Sequence, residues 1–197
     1  MTPGARVAAQ IDILEAILSG VPAEKALTNW ARGNRFAGSK DRAAVRDLVF
    51  QALRCRRSAG AWPEPQSARA WAIGALRTNG SDPSEFFTGI GHAPAALQAE
   101  DVMPLPTDRD RLDLQDWVID RLTEEYGAAQ TAEIGAVLRH RAPITLRVNL
   151  QKTTRAQLQA ELAKAEIETS LNPASDTALT IVSNPRRAVL QPCYQQG

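Results

Sequence analysis

The apolar spacing of this chain changes period once, at residues 144–149, and that change limits what the chain can fold into. Upstream, apolar residues recur three and four apart, as in Val7, Ile11, Leu14 and Leu18, the stripe of an amphipathic helix. Ile144, Leu146 and Val148 instead alternate with Thr145, Arg147 and Asn149, the two-residue period of a half-buried strand. Pro143 fits just ahead of such a strand, where its missing N–H breaks no ladder bond. A helix start follows, with Thr153 or Thr154 placed to cap it and Leu158, Leu162 and Ala165 along one face. Ile167–Leu171 and Leu179–Val182 are strand candidates separated by an Asn172-Pro173 turn, and Asn184-Pro185 ends the second.

The expected fold is therefore mainly α. A helical bundle over residues 1–140 precedes a small α/β unit over 141–197. Strand, helix, strand, strand is the opening of a ferredoxin-like or RNA-recognition-like βαββ unit, incomplete because the chain stops before a second helix. An unpaired edge of that kind leads us to expect a fragment.

Within the bundle, residues 3–19 form the first helix, closed by Gly20. Pro22 suits the first position of a second, which buries Ala26, Leu27 and Trp30. A third begins at Ser39, a good N-cap, carries Asp41 in its first turn, and buries Val45, Leu48, Val49, Ala52 and Leu53. Trp62-Pro63-Glu64-Pro65 breaks the chain. Trp71, Ala72, Ala75 and Leu76 define the next helix, ended by Asn79-Gly80. Asp82-Pro83 opens a short helix through Phe87, and 95–100 is a further helix candidate. Trp71, Phe86 and Phe87 read as core. Met103-Pro104-Leu105-Pro106 is a stiff connector, and Trp117, Val118, Leu122 and Tyr126 form the buried stripe of a helix that Gly127 stops. Ile134, Val137 and Leu138 lead into the junction.

Net charge is +1, but it is unevenly spread. Residues 1–60 carry +5, 61–140 carry −7 and 141–197 carry +3, a pattern that suits a polyanion touched by two separate surfaces. The first is the loop from Arg32 to Arg42, where Arg32, Arg35, Lys40 and Arg42 surround the backbone N–H groups of a helix start, with Arg46 one turn on. Phe36 in that loop either stacks on a base or pins into the core, the commoner outcome for a loop aromatic. Arg54, Arg56 and Arg57 near the helix end read as dipole complements and solvated surface. The second surface is Arg147, Asn149 and Lys152, from a strand end and the turn after it.

Little catalytic chemistry is visible. Cys55 and Cys193 lie far apart without Cys/His ligand spacing; Cys193 has no neighbouring His, Lys or acidic partner in sequence to lower its pKa, and Cys55, inside an apolar-faced helix, reads as partly buried or inert. No residue is assigned a catalytic or metal-binding role. His92 and His140 have no ligand spacing. Asp108, Asp110, Asp113, Asp116 and Asp120 lack a calcium-loop pattern and read as a solvated helix start. Gly89-Ile90-Gly91 follows no strand and is not a nucleotide loop. There is no signal-peptide run and no segment of membrane-spanning length, so we expect a cytoplasmic protein with no membrane partner.

The segment RAPITLRVNLQKTTR (141–155) resembles the stretch that precedes the catalytic domain in bacterial RNA cytosine-C5 methyltransferases of the Sun/RsmB type. RNRFAGSKDRAAVRDLVFQALRCRR, continuous through Arg57 if read without Gly33, and DWVIDRLTEEYG (116–127) resemble the same family's NusB-like helical domain. Leu150-Gln151 departs from the family's pattern without altering the Asn149-to-Lys152 spacing. The resemblance implies a NusB-like RNA-binding domain over 1–140 and the start of a small RNA-binding or linker domain over 141–197. It also implies a following S-adenosylmethionine-dependent methyltransferase domain beyond Gly197. The cofactor would belong to that domain, not to this chain, which is expected to be inactive alone. The implied partner is ribosomal RNA, of the small subunit, held by Arg32, Arg35, Lys40, Arg42, Arg46, Arg141, Arg147, Asn149, Lys152 and Arg155. The alternative is a stand-alone NusB-like transcription antitermination module without catalysis. A protein of that kind would end with its last helix, which the RVN junction argues against.

Overall fold

The computed structural model describes residues 1–60, 67–101 and 105–195, which divide into two compact units, Met1–His140 and Arg141–Gly197. The expected break at Trp62–Pro65 lies outside the described residues, as do Met103 and Pro104 of the expected connector.

In the first unit α1 (Pro3–Leu18) packs against α2 (Ala23–Gly33), α3 (Ser39–Arg54) and α4 (Ala68–Thr78). Thr2 caps α1, accepting from the Ala5 N–H at 3.2 Å, and Pro3 occupies the first helical position, where its missing donor is not needed. Val7, Ile13 and Leu14 of α1, Val45, Val49 and Ala52 of α3, and Trp71 and Ile73 of α4 make the core. Leu18, expected on the α1 stripe, is exposed. Two polar groups enter this core with partners. The Trp71 indole N–H donates to the Ala52 carbonyl at 3.0 Å, and the buried Gln10 amide donates to the Leu48 carbonyl at 3.0 Å. Asp41, in the first turn of α3, accepts from the Arg6 guanidinium at 2.8 Å and the N-terminal amino group at 3.1 Å. Those partners, Arg6 foremost, hold its carboxyl below the usual range.

Several local expectations change in the structure. Gly38 rather than Ser39 is the N-cap of α3, and Ser39 is its first helical residue. Residues 95–100 form no helix. Arg69 takes the carbonyls of Ala95 and Ala96, at 3.0 and 3.1 Å, while Asp101 accepts from the Gln98 N–H at 2.8 Å. The groups a helix would pair internally are thus used elsewhere. Asp82 and Pro83 do open a helical segment, but it is a single 3₁₀ turn, Pro83–Glu85.

The acidic run is a solvated helix start only in part: Asp108, Asp116 and Asp120 are exposed, while Asp110 and Asp113 are drawn inward. Arg57, 8% exposed, donates to Asp110 at 2.9 Å and Asp116 at 2.9 Å. Asp113, buried as a side chain, accepts from the Ser58 N–H at 2.9 Å and hydroxyl at 2.7 Å. Arg57 is thus a buried tie, not surface, and the carboxylates serve packing. Asp116 and Asp120 also bind Arg109, at 2.6 and 2.7 Å. These pairs hold the first part of α5 (Asp116–Leu138), where Ile119 is buried; Thr131 and Gly135 are the buried residues beyond its break. The expected stripe is therefore wrong: Trp117 and Tyr126 are exposed, and Val118 and Leu122 are half-buried. Gly127, at φ +78°, does interrupt α5, but helix resumes beyond it.

The second unit is a three-stranded antiparallel sheet of order β1-β3-β2, built from β1 (Thr145–Arg147), β2 (Thr169–Leu171) and β3 (Ala178–Ile181). β1 connects to β2 through α6 (Arg155–Lys164), and α7 (Pro185–Ala188) and α8 (Pro192–Gln195) follow β3. A βαββ chain whose third strand lies between the first two, antiparallel to both, is the expected ferredoxin-like arrangement. Thr154 is the cap of α6 and exchanges bonds with Gln157 in a capping box. Val148, Leu158, Leu162, Ile167, Leu179 and Ile181 form a separate core.

The closest packing in the first unit is at Gly74, inside α4. A Cβ there would lie 1.9 Å from the Ala59 carbonyl oxygen. Alanine is favoured over glycine inside a helix by about 1 kcal/mol. Against backbone that cannot yield, the clash should outweigh this gain, so Gly74→Ala should destabilise the chain by about 2–3 kcal/mol. Urea unfolding followed by circular dichroism checks it, and a midpoint at or above that of the parent would mean α4 can shift.

Candidate nucleic-acid interface

The basic loop of the first unit is a pinned turn. Asn34 closes α2, its N–H and its side-chain amide each donating to the Trp30 carbonyl at 2.9 Å. The Ala37 N–H donates to the Asn34 carbonyl at 3.1 Å, which makes Arg35 and Phe36 the two corner residues. Ala37 is buried, and its carbonyl accepts from Arg42 Nε at 2.8 Å. Gly38, at the N-cap of α3, supplies no side-chain acceptor to the first N–H groups of the helix.

Arg32, Arg35 and Arg42 come together with Thr28 and Ala31 around an open concavity of about 420 Å³. Lys40 is exposed in the first turn of α3. Arg46, grouped with these in sequence, is engaged otherwise. It is ion-paired with Glu24, one bond measuring 2.8 Å, and its guanidinium lies 5.1 Å from the Phe50 ring centre. Phe36 is 75% exposed, against the expectation that it pins into the core. Ala37 does the pinning instead.

In the second unit, Arg147, Asn149 and Lys152 line one side of a cavity of about 580 Å³. Leu146, Leu158, Leu162 and Ile181 contribute apolar lining, and Glu161, Cys193 and Tyr194 also border it. Sequence reasoning did not bring Glu161 or Tyr194 to this place, since their approach depends on the packing of α6 and the segment after β3. Arg155 does not line the cavity, and donates to the Ser175 carbonyl at 3.3 Å. Arg141 is exposed ahead of β1.

Neither thiol is prepared as a nucleophile. Burial pushes Cys55 up to about 12, and burial together with the Glu161 carboxylate raises Cys193. Among the described residues no group of histidine, cysteine and carboxylate side chains is placed to hold a metal ion, and no helix is long and apolar enough to cross a membrane.

Residues 114–186, less than half of the chain, match a family model described as Methyltr_RsmF/B-like, ferredoxin-like domain. A solved structure titled "Crystal Structure of PH0851" shares the fold over 98% of this chain, with a TM-score of 0.57 at 15% identity. The match covers 52% of that chain, so this one spans about half its length. No curated protein matches in sequence.

The two thiols should differ in reactivity. At mildly alkaline pH, Cys193 should react with a chromogenic disulfide in the native chain, and Cys55 only after unfolding. Release of two equivalents from the native chain at the same rate would contradict the burial of Cys55.

Proposed function

We propose that this chain is the RNA-engaging portion of an S-adenosylmethionine-dependent ribosomal RNA cytosine-C5 methyltransferase, positioning small-subunit RNA for a catalytic domain outside it. The observation that carries this reading is the match of residues 114–186 to the RsmF/B-like ferredoxin-like domain. The fold shared with a structure twice as long is compatible with it. A NusB-like antitermination module would end with its last helix, so the ferredoxin-like unit favours the methyltransferase reading.

In this account the chain's own residues bind and orient. Arg32, Arg35 and Arg42 present guanidinium groups to phosphates around one concavity, while Lys40 and the first N–H groups of α3 extend the same positive surface. Arg147, Asn149 and Lys152 offer cations and an amide beside an apolar floor, with Arg141 and Arg155 adding charge nearby in sequence, whereas Arg46 of the first unit is held by Glu24. Proton transfer and attack on the base are assigned to the other domain, because burial shifts both thiols of this chain away from the thiolate that adds to cytosine.

Arg42 also anchors the loop through Ala37, so a test of phosphate contact should spare it. Replacing Arg32, Arg35 and Lys40 together with alanine should weaken binding to structured ribosomal RNA and flatten the dependence of log affinity on log salt by roughly two units. Stability should change by only about 0.5 kcal/mol for each exposed position. Filter binding across a salt series, with circular dichroism as the folding control, reads both. Unchanged affinity and slope in a folded triple variant would mean these cations are ordinary solvated surface.

A further inference from the structure

We infer that Phe36 is a stacking platform for an unpaired base, so that the RNA taken by this face is single-stranded or looped rather than continuous duplex. The inference rests on the RNA-binding reading above and adds a residue and a substrate form to it. A singly exposed apolar side chain needs no explanation in general. Phe36 differs in being held out by a fixed turn. Asn34 ties the turn to α2, buried Ala37 seats its far end, and Arg42 grips the Ala37 carbonyl. The ring is therefore presented at a corner with its surroundings already ordered, which lowers the entropy lost when a ligand arrives.

Its surroundings select the ligand. Arg32, Arg35 and Arg42 line the adjoining concavity, and Lys40 follows in the next turn. An aromatic ring beside cations that track a phosphate backbone is how proteins hold single strands, because every base has a face to stack. In A-form duplex both faces of each base are already covered, and the deep major groove does not admit side chains. Three other described aromatics, Trp117, Tyr126 and Tyr194, are also exposed. Asp116, Asp120, Glu124 and Glu125 stand beside the first two in sequence and would repel phosphate, and Tyr194 borders the second unit's cavity, where the Glu161 carboxylate stands among the lining residues. In the first unit, Phe36 combines exposure with cationic neighbours.

The full chain can be titrated with a labelled oligoadenylate and with a blunt RNA duplex, using fluorescence anisotropy. Phe36→Ala should weaken oligoadenylate binding about ten-fold while leaving the salt slope and the duplex affinity unchanged. Phe36→Trp should retain binding. If Phe36→Ala binds oligoadenylate like the parent while the Arg32, Arg35 and Lys40 variant is weakened, stacking is wrong and the RNA reading stands. An equal loss on both RNAs also overturns the unpaired-base claim. A parent chain that binds neither RNA refutes both the stacking and the reading beneath it.

Discussion

The buried indole of Trp71 sets the geometry on which the first unit depends. Its N–H must find an acceptor once water is removed, and the Ala52 carbonyl of α3 supplies it at 3.0 Å. This bond fixes how α3 lies against α4, and the contact of Gly74 with Ala59 keeps the approach close. With the C-terminal part of α3 held there, and Asp41 at its other end tied to Arg6, the start of the helix has little freedom. The turn from Asn34 to Gly38 is presented from that fixed start. The cations of the loop are thus placed by packing many residues away, as expected where loops do the binding and a rigid scaffold positions them.

Charge is divided between two tasks. Arg57, from the first sixty residues, faces Asp110 and Asp116 from the next eighty, so part of the basic excess is used inside the unit. Arg46 is likewise paired with Glu24. The cations around the concavity are a subset of those counted in the sequence, which is why a tally of charge alone overstates the surface. The buried ties are also poor evidence of large stabilisation, since desolvation of Arg57 offsets much of its attraction to the two carboxylates.

The period change at Ile144 made the second unit legible, because strand alternation and the helix cap at Thr154 are local signals. The extent of α1 and the end of α4 at Asn79 were legible for the same reason. What failed depended on partners distant in sequence. Residues 95–100 have helical composition, but Arg69, some twenty-five residues earlier, takes their carbonyls. The buried side of α5 was misjudged because Trp117 and Tyr126 fit a helical stripe with Val118 and Leu122, whereas Ile119 faces inward and ion pairs of Asp116 and Asp120 hold that first part of the helix. At the candidate interface, the grouping of Arg32, Arg35 and Arg42 was readable from their clustering. The outward position of Phe36 and the diversion of Arg46 and Arg155 were not, since each depends on a contact that spacing does not encode.

The central claim is that this chain holds RNA through two basic segments of its own. Ultraviolet cross-linking to small-subunit ribosomal RNA, with the attached peptides identified by mass spectrometry, tests it most directly. The account predicts cross-linked peptides from residues 32–46 and 141–155, with the acidic segment 108–126 unlabelled. Cross-links concentrated on the acidic segment, or none on either basic one, would contradict it.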